Sequence, residues 1–173
     1  DRGVKRILVT GGSGYIGSHT CVALMQSGHE VVILDNLSNS KRSVVERIGK
    51  IVGHEPGFVE GDVRDRQLVV SLLREPKIGA TIHFAGLKAV GESVAQPLRY
   101  YDCNVGGSIA LCEAMAETGV KTLIFSSSAT VYGDSASVPI REDFPTGATN
   151  PYGGSKLIIE QVLADLHKSD ASW

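Results

Sequence analysis

The feature that most constrains this chain is the run Thr10-Gly11-Gly12-Ser13-Gly14-Tyr15-Ile16-Gly17. A β-branched stretch, Val4–Thr10, leads into it, and a segment with apolar residues at Ile16, Val22, Ala23 and Leu24 follows, ending before Gly28. A strand, a glycine turn and a helix in that order leave bare backbone N–H groups at a helix start, where the dipole favours an anion. The run satisfies GxGxxG through Gly12, Gly14 and Gly17, and GxxGxxG through Gly11, Gly14 and Gly17. Between a strand and a helix, that spacing points to a pyrophosphate. Asp35 adds a second sign: it ends the next β-branched run, Val31–Leu34, 35 − 17 = 18 residues past the last glycine. A carboxylate there accepts ribose hydroxyls and repels a 2′-phosphate, so with Asn36 next, rather than arginine, the expected dinucleotide is NAD and not NADP. A glycine turn beside an unrelated surface aspartate is the competing reading.

The two periodicities go on alternating. Lys41–Val52 reads as helix, Phe58–Glu60 as a short strand, Asp65–Arg74 as a helix stopped by Pro76, and Ala80–Ala85 as a fourth strand. Val94–Thr118 is expected as one long helix, with Ser93 as its cap and Pro97 early in it, before a fifth strand at Val120–Ser126. Gly133–Thr149 is aperiodic and reads as loop; Asn150-Pro151 then gives an N-cap and a first-turn proline for a helix to about Lys168. Such alternation predicts an α/β fold: a Rossmann-type doubly wound parallel sheet with helices on both faces. In that fold ligands sit beyond the strands' carboxyl ends, here Thr10–Gly17, Asp35, Asp62, Ala85–Lys88 and Ser126–Ser128.

Composition removes other classes. The 173 residues suit one domain, 1–173, at about 150 residues per domain. Seventeen Lys and Arg against nineteen Asp and Glu, dispersed along the chain, leave no basic footprint for nucleic acid. No apolar run approaches the roughly 18–20 residues of a membrane span, and no signal peptide opens the chain; Asp1 in place of Met suggests a trimmed or replaced start. Cys21, Cys103 and Cys112 form no CxxC, and the five histidines show no paired spacing. No metal site or disulfide is therefore expected; buried free thiols in a reducing cytoplasm are, with the histidines structural or on the surface.

The acid–base candidates come from the last helix. Tyr152 and Lys156 are four residues apart, hence on one face. A phenol titrates at about 10, and a neighbouring ammonium with a cationic nicotinamide favours the phenolate. By spacing alone an ordinary amphipathic helix fits as well. The position of Ser126-Ser127-Ser128 changes that: a serine at the carboxyl end of the fifth strand can share a substrate hydroxyl with Tyr152 and relay its proton. Gly153 and Gly154 each cost roughly 1 kcal/mol of helix propensity relative to alanine, which suggests a close approach.

TGGSGYIG, the strand-end Asp35 and YGGSK together resemble the extended short-chain dehydrogenase/reductase superfamily. LDNLSNSKRSV at 34–44, HFAGLKAVGESV at 83–94 and FSSSATVYGD at 125–134 resemble one member family, the UDP-glucose (UDP-galactose) 4-epimerases, from about Val4 to the end of the chain. The resemblance implies NAD-dependent, metal-free epimerisation of a UDP-sugar at C4. It implies a pyrophosphate held by Gly11, Gly14, Tyr15, Ile16 and Gly17, and an adenosine ribose at Asp35 and Asn36, with Asn39 and Ser40 nearby. Asp62 and Val63 would border adenine, and Phe84, Ala85, Gly86, Lys88 and Asn104 would lie along the cofactor. Ser128 would be the catalytic hydroxyl, Tyr152 the base, and Lys156 its electrostatic partner and a nicotinamide-ribose ligand. Ser13 and Gly154 depart from many relatives without touching these roles.

Relatives of this kind continue with a sixth strand and a substrate domain. The resemblance therefore makes residues 1–173 the cofactor half of a cytoplasmic enzyme, homodimeric at full length. Alone, it is expected to bind NAD weakly and turn over little or no sugar. A nucleotide-sugar dehydratase or decarboxylase is the nearest rival enzyme, but dehydration needs an extra acid/base pair where this chain has Ala129 and Thr130. A non-catalytic NAD-binding module is the rival of a different class.

Overall fold

A computed structural model describes residues 5–76 and 78–173. Five strands form one parallel sheet: β1 (Arg6–Thr10), β2 (Glu30–Asp35), β3 (Gly57–Glu60), β4 (Ile78–His83) and β5 (Leu123–Phe125). Their spatial order is β3-β2-β1-β4-β5, so the chain reverses direction across the sheet between β1 and β4. That is the doubly wound, Rossmann-type order, and its switch point lies at the carboxyl ends of β1 and β4.

Two compact units make up the chain. The first holds the sheet and runs to Ala85, with Ala110–Ser126 added. Its helices are α1 (Tyr15–Gln26), α2 (Ser43–Val52) and α3 (Arg66–Leu73), with the later part of α6 (Gly107–Thr118). Ile7, Val9, Val31, Ile33 and Ile82 from the strands, with Phe84 just past β4, meet Cys21 and Met25 of α1 and Ile48 of α2 in its core. Each such side chain contributes about 1.5–3 kcal/mol by leaving water. The continuous apolar runs of β1 and β2 follow from burial in the middle of a parallel sheet. Arg66 pairs with Glu113 and Glu117 at 3.0 and 3.1 Å, and Arg74 with Glu117 at 3.2 Å, joining α3 to α6.

The second unit comprises Gly86–Ile109 and Ser127–Trp173. It contains α4 (Val90–Ala95), α5 (Pro97–Tyr100), a π-helical turn at Tyr101–Gly106, a 3₁₀ turn at Ala129–Tyr132 and α7 (Pro151–Ser169). No long helix begins at Val94. Gln96 leaves the helical region at φ −132°, ψ 60° because the Pro97 ring crowds the residue before it. Ser93 is not a cap for its own helix either: it lies inside α4, fully buried. The start of β1 is Arg6, and Val4 lies outside the described residues. α1 and the N-terminus of α7 fall where the sequence predicts them.

Among the described residues no helix is long and apolar enough to cross a membrane, and no group of His, Cys, Asp or Glu is placed to hold a metal. The cysteines are free. Burial pushes the Cys21 thiol up to about 12 and that of Cys112 to about 11, so both are inert; Cys103 is only half-buried, against expectation.

Candidate functional site

In the first unit the glycine turn is built by close approach. Gly11 has φ +67°, and a Cβ there would lie 2.7 Å from the Ala85 nitrogen. A Cβ on Gly17 would lie 2.3 Å from the Gly11 carbonyl, so only glycine lets α1 start this close to the turn. Thr10 Oγ1 bonds His83 Nδ1 at 2.6 Å and accepts the Ala85 N–H at 3.3 Å, joining β1 to β4 at the switch point. His83 is thus structural, as its lone spacing suggested.

The start of α1 is unfilled by the protein. Gly14 is the N-cap, no side chain caps the helix, and the N–H groups of exposed Tyr15 and Ile16 and of Gly17 have no acceptor among the described residues. Asp35 ends β2 half-buried. Its Oδ2 accepts from Ser13 N at 3.2 Å; its Oδ1 accepts from Leu37 N at 2.9 Å and weakly from Ser40 Oγ at 3.4 Å. Ser40 also bonds Ser13 at 2.8 Å, so Asp35, Ser13 and Ser40 form one cluster with a carboxylate lone pair to spare. Asp62 is held by a bidentate Arg64 contact, Nε at 3.1 Å and Nη2 at 2.8 Å, which with the Asn36 amide holds its carboxyl below the usual range. Val63 and Phe84 are buried, Ala85 is half-buried and Asn39 is exposed. Three open amides and a tethered carboxylate suit a pyrophosphate and a ribose diol.

The second unit gathers Ser128, Tyr152, Lys156, Lys88, Gly86 and Asn104. Lys156 is 3% exposed, with its ammonium 6.0 Å from the centre of the Tyr152 ring. Burial first, and the charge of exposed Lys88 second, lower its pKa from 10.5 to about 8. The Tyr152 hydroxyl has no hydrogen-bond partner among the described residues, and its ring is half-buried. Ser128 Oγ accepts from Thr130 N at 3.2 Å and from Thr130 Oγ1 at 2.9 Å. Both its lone pairs are used, which leaves the Ser128 hydrogen to donate.

Asn104, 2% exposed in the π-helical turn, spends its amide on the chain itself. Its Oδ1 accepts from Leu87 N at 2.8 Å, and Nδ2 donates to Leu87 O and Ser155 Oγ, each at 3.1 Å. Ser155 Oγ in turn donates to the Tyr152 carbonyl at 2.7 Å. One amide thus ties the Gly86–Lys88 loop to the helix that carries Tyr152, and π-helical turns occur often at such places. Sequence reasoning missed Ser155, although it stands within YGGSK. It also missed that buried Ser93 Oγ accepts the Tyr152 N–H at 3.1 Å, and that Glu160 Oε1 accepts the Ser127 hydroxyl.

Residues 7–172 match the model of the NAD dependent epimerase/dehydratase family. The chain is 60% identical to a UDP-glucose 4-epimerase of Bacillus subtilis over 167 residues, which is 96% of this chain and 49% of that protein. A UDP-glucose 4-epimerase structure from Bifidobacterium longum, in complex with NAD+ and UDP, is similar at TM-score 0.95 and 49% identity, covering 98% of this chain and 51% of that one. One from Stenotrophomonas maltophila, with bound NAD and formylated UDP-arabinopyranose, is similar at TM-score 0.93 and 56% identity, covering 95% and 49%. The chain spans about half the length of the curated relatives it matches. By this family match, and by the glycine turn and Tyr152–Lys156 helix that underlie it, the chain belongs to the NAD dependent epimerase/dehydratase family.

Proposed function

We propose that this chain is the cofactor-binding and acid–base half, one Rossmann-type domain of residues 1–173, of an enzyme that interconverts UDP-galactose and UDP-glucose at C4. The observation that carries the reading is the unspent chemistry of the second unit: an unpartnered Tyr152 hydroxyl beside a buried cation, and a Ser128 hydroxyl free to donate.

The residues fit NAD on their own chemistry. The amides of Tyr15, Ile16 and Gly17, with Gly11 and Gly14 as the turn, would take the pyrophosphate. Asp35 would take the ribose hydroxyls through its remaining lone pair and by giving up the weak Ser40 contact, with Asn36, Asn39, Ser40, Asp62 and Val63 around the adenosine. Phe84, Ala85, Gly86, Lys88, Asn104, Tyr152 and Lys156 complete the assigned cofactor residues. When bound, NAD supplies the acceptor for the C4 hydride and returns it, so the net reaction is redox-neutral.

Tyr152, as phenolate, takes the proton of the sugar 4-hydroxyl. Lys156 holds positive charge beside the ring that must carry the negative charge. Ser128 donates its hydrogen to the same sugar oxygen and so orients the substrate beside Tyr152. The 4-keto sugar then presents its other face, and Tyr152 returns the proton as the opposite epimer forms. The full-length enzyme is assigned as a homodimer on family grounds and as cytoplasmic from its unpaired thiols.

Full-length protein incubated with UDP-galactose should form UDP-glucose. Bound dinucleotide without conversion would instead make the chain a binding module.

A further inference from the structure

Gly153 and Glu160 on α7 carry an inference that rests on the reading above. The segment Ser127–Thr130, which carries Ser128, touches α7 at two places. At the first turn, a Cβ on Gly153 would lie 2.9 Å from the Thr130 carbonyl oxygen and 3.1 Å from Thr130 Oγ1, so the missing side chain is what lets Thr130 close on the helix. Two turns later, half-buried Glu160 accepts the Ser127 hydroxyl on Oε1. Tyr152, Lys156 and Glu160 follow one another at intervals of four and share a helix face. The two anchors therefore bracket Ser128, with Thr130 on one side of it and Ser127 on the other, along the face that presents the phenol and the ammonium.

We propose that Glu160 is a positioning residue for the reaction: by holding Ser127 against α7, it fixes the distance and direction of the Ser128 hydroxyl relative to Tyr152. A carboxylate acceptor makes this bond stronger than a neutral pair would. Ser128 cannot set its own position, because its hydroxyl already caps the 3₁₀ turn through Thr130 and must keep its hydrogen for the substrate. Without the Ser127 bond the segment loses its anchor at the Glu160 end, keeps the one at Gly153, and gains freedom about Ser128. Misplacing a group at a reacting centre lowers turnover steeply even when binding is unchanged.

The test compares Glu160→Ala, Glu160→Gln and Ser127→Ala in the full-length protein. Steady-state kinetics use UDP-galactose, and amide hydrogen exchange is followed over residues 126–132. Glu160→Ala should lower kcat about tenfold, leave KM within about twofold, and speed exchange in that segment. Glu160→Gln keeps an acceptor for Ser127 and should restore both. Ser127→Ala removes the same bond by a smaller change and should match Glu160→Ala, with no further loss in the double variant. Unchanged kcat in Glu160→Ala, a glutamine variant as impaired as the alanine one, or a fall in kcat without faster exchange would each overturn the proposal. If the unmodified protein does not epimerise UDP-galactose, the proposed function fails, and the exchange series alone still decides the clamp: equal exchange in all variants overturns it.

Discussion

The N-termini of α1 and α7 are built in opposite ways from the same backbone problem. Each helix starts with N–H groups that have no intrahelical acceptor. At α7 the protein accounts for the whole first turn: Pro151 has no N–H, Tyr152 donates to Ser93 Oγ and Gly153 to Asn150 Oδ1. At α1 the cap is Gly14, no side chain reaches the turn, and three amides are left without an acceptor. A closed start holds its side chains still, which suits a helix carrying Tyr152 and Lys156. An open start keeps its donors for a ligand, at some cost to stability. On the proposed function, one end serves the chemistry and the other the capture of the dinucleotide.

The hardest test of that contrast removes the chemistry from the closed end. Tyr152→Phe should leave α7 and dinucleotide binding intact while epimerisation in the full-length protein falls by about 10²–10⁴-fold or more. Near-normal turnover would sink the assignment of Tyr152.

Lys156 gives the next largest effect. It titrates near 10.5 when unfolded and at about 8 when folded, so between those values the unfolded chain holds more protons. Stability must therefore rise with pH across that window and stay at its lower level below about 8, where both states are protonated. The gap is worth roughly 3 kcal/mol, with Lys156 as the destabilising group at neutral pH. Ligand-free Lys156→Met should then be more stable than the parent at pH 7, while losing turnover. Denaturant unfolding at pH 7 and pH 10 checks this; a stability difference that does not shrink with pH would contradict it.

The open and closed ends were not equally legible. The glycine turn, Asp35 and the limits of α1 follow from local rules, because strand, turn and helix signals there agree within thirty residues. Asn150 and Pro151 mark α7 for the same reason. What escaped notice lies across long sequence separations. Ser93 caps a helix that starts 58 residues later, Asn104 reaches Ser155, and Ser127 reaches Glu160. A serine read for local capping looks like the cap of its own helix, as Ser93 did. The break at Gln96-Pro97 is a different failure: the proline rule was available, but hydrophobic periodicity continues across it and hides the turn.

The open end of α1 can be closed by design. Gly14 has φ −71° and ψ 178°, a conformation any residue adopts. A Cβ there would lie 3.3 Å from the Gly11 carbonyl oxygen, so Gly14→Asn needs a shift of a few tenths of an ångström to give α1 the side-chain acceptor that α7 has. An asparagine cap gains only a few tenths of a kcal/mol over glycine, which the close approach to the Gly11 carbonyl offsets, so the melting temperature should change little. NAD affinity of the full-length protein should nevertheless fall by about tenfold or more, because the new side chain competes for the amides the pyrophosphate needs. Calorimetric titration separates the two effects. Unaltered affinity would mean that the open amides are not the phosphate site.

The smallest effect opens the closed end. Asn150→Ala removes the acceptor of the Gly153 N–H and should cost about 1 kcal/mol of stability, roughly 2–4 °C in melting temperature for a chain of this size. Ser93→Ala removes the acceptor for Tyr152 N–H at a buried site and should cost a similar amount, although it lies on another helix. The pair separates capping from positioning. If α7 needs a closed start only for stability, both variants lower the melting temperature and leave kcat in the full-length protein unchanged. If the closed start also holds the phenol, Ser93→Ala should reduce kcat more than Asn150→Ala at equal loss of stability, because its bond is to Tyr152 itself. Equal kcat in the two variants would reduce the comparison to one of helix stability.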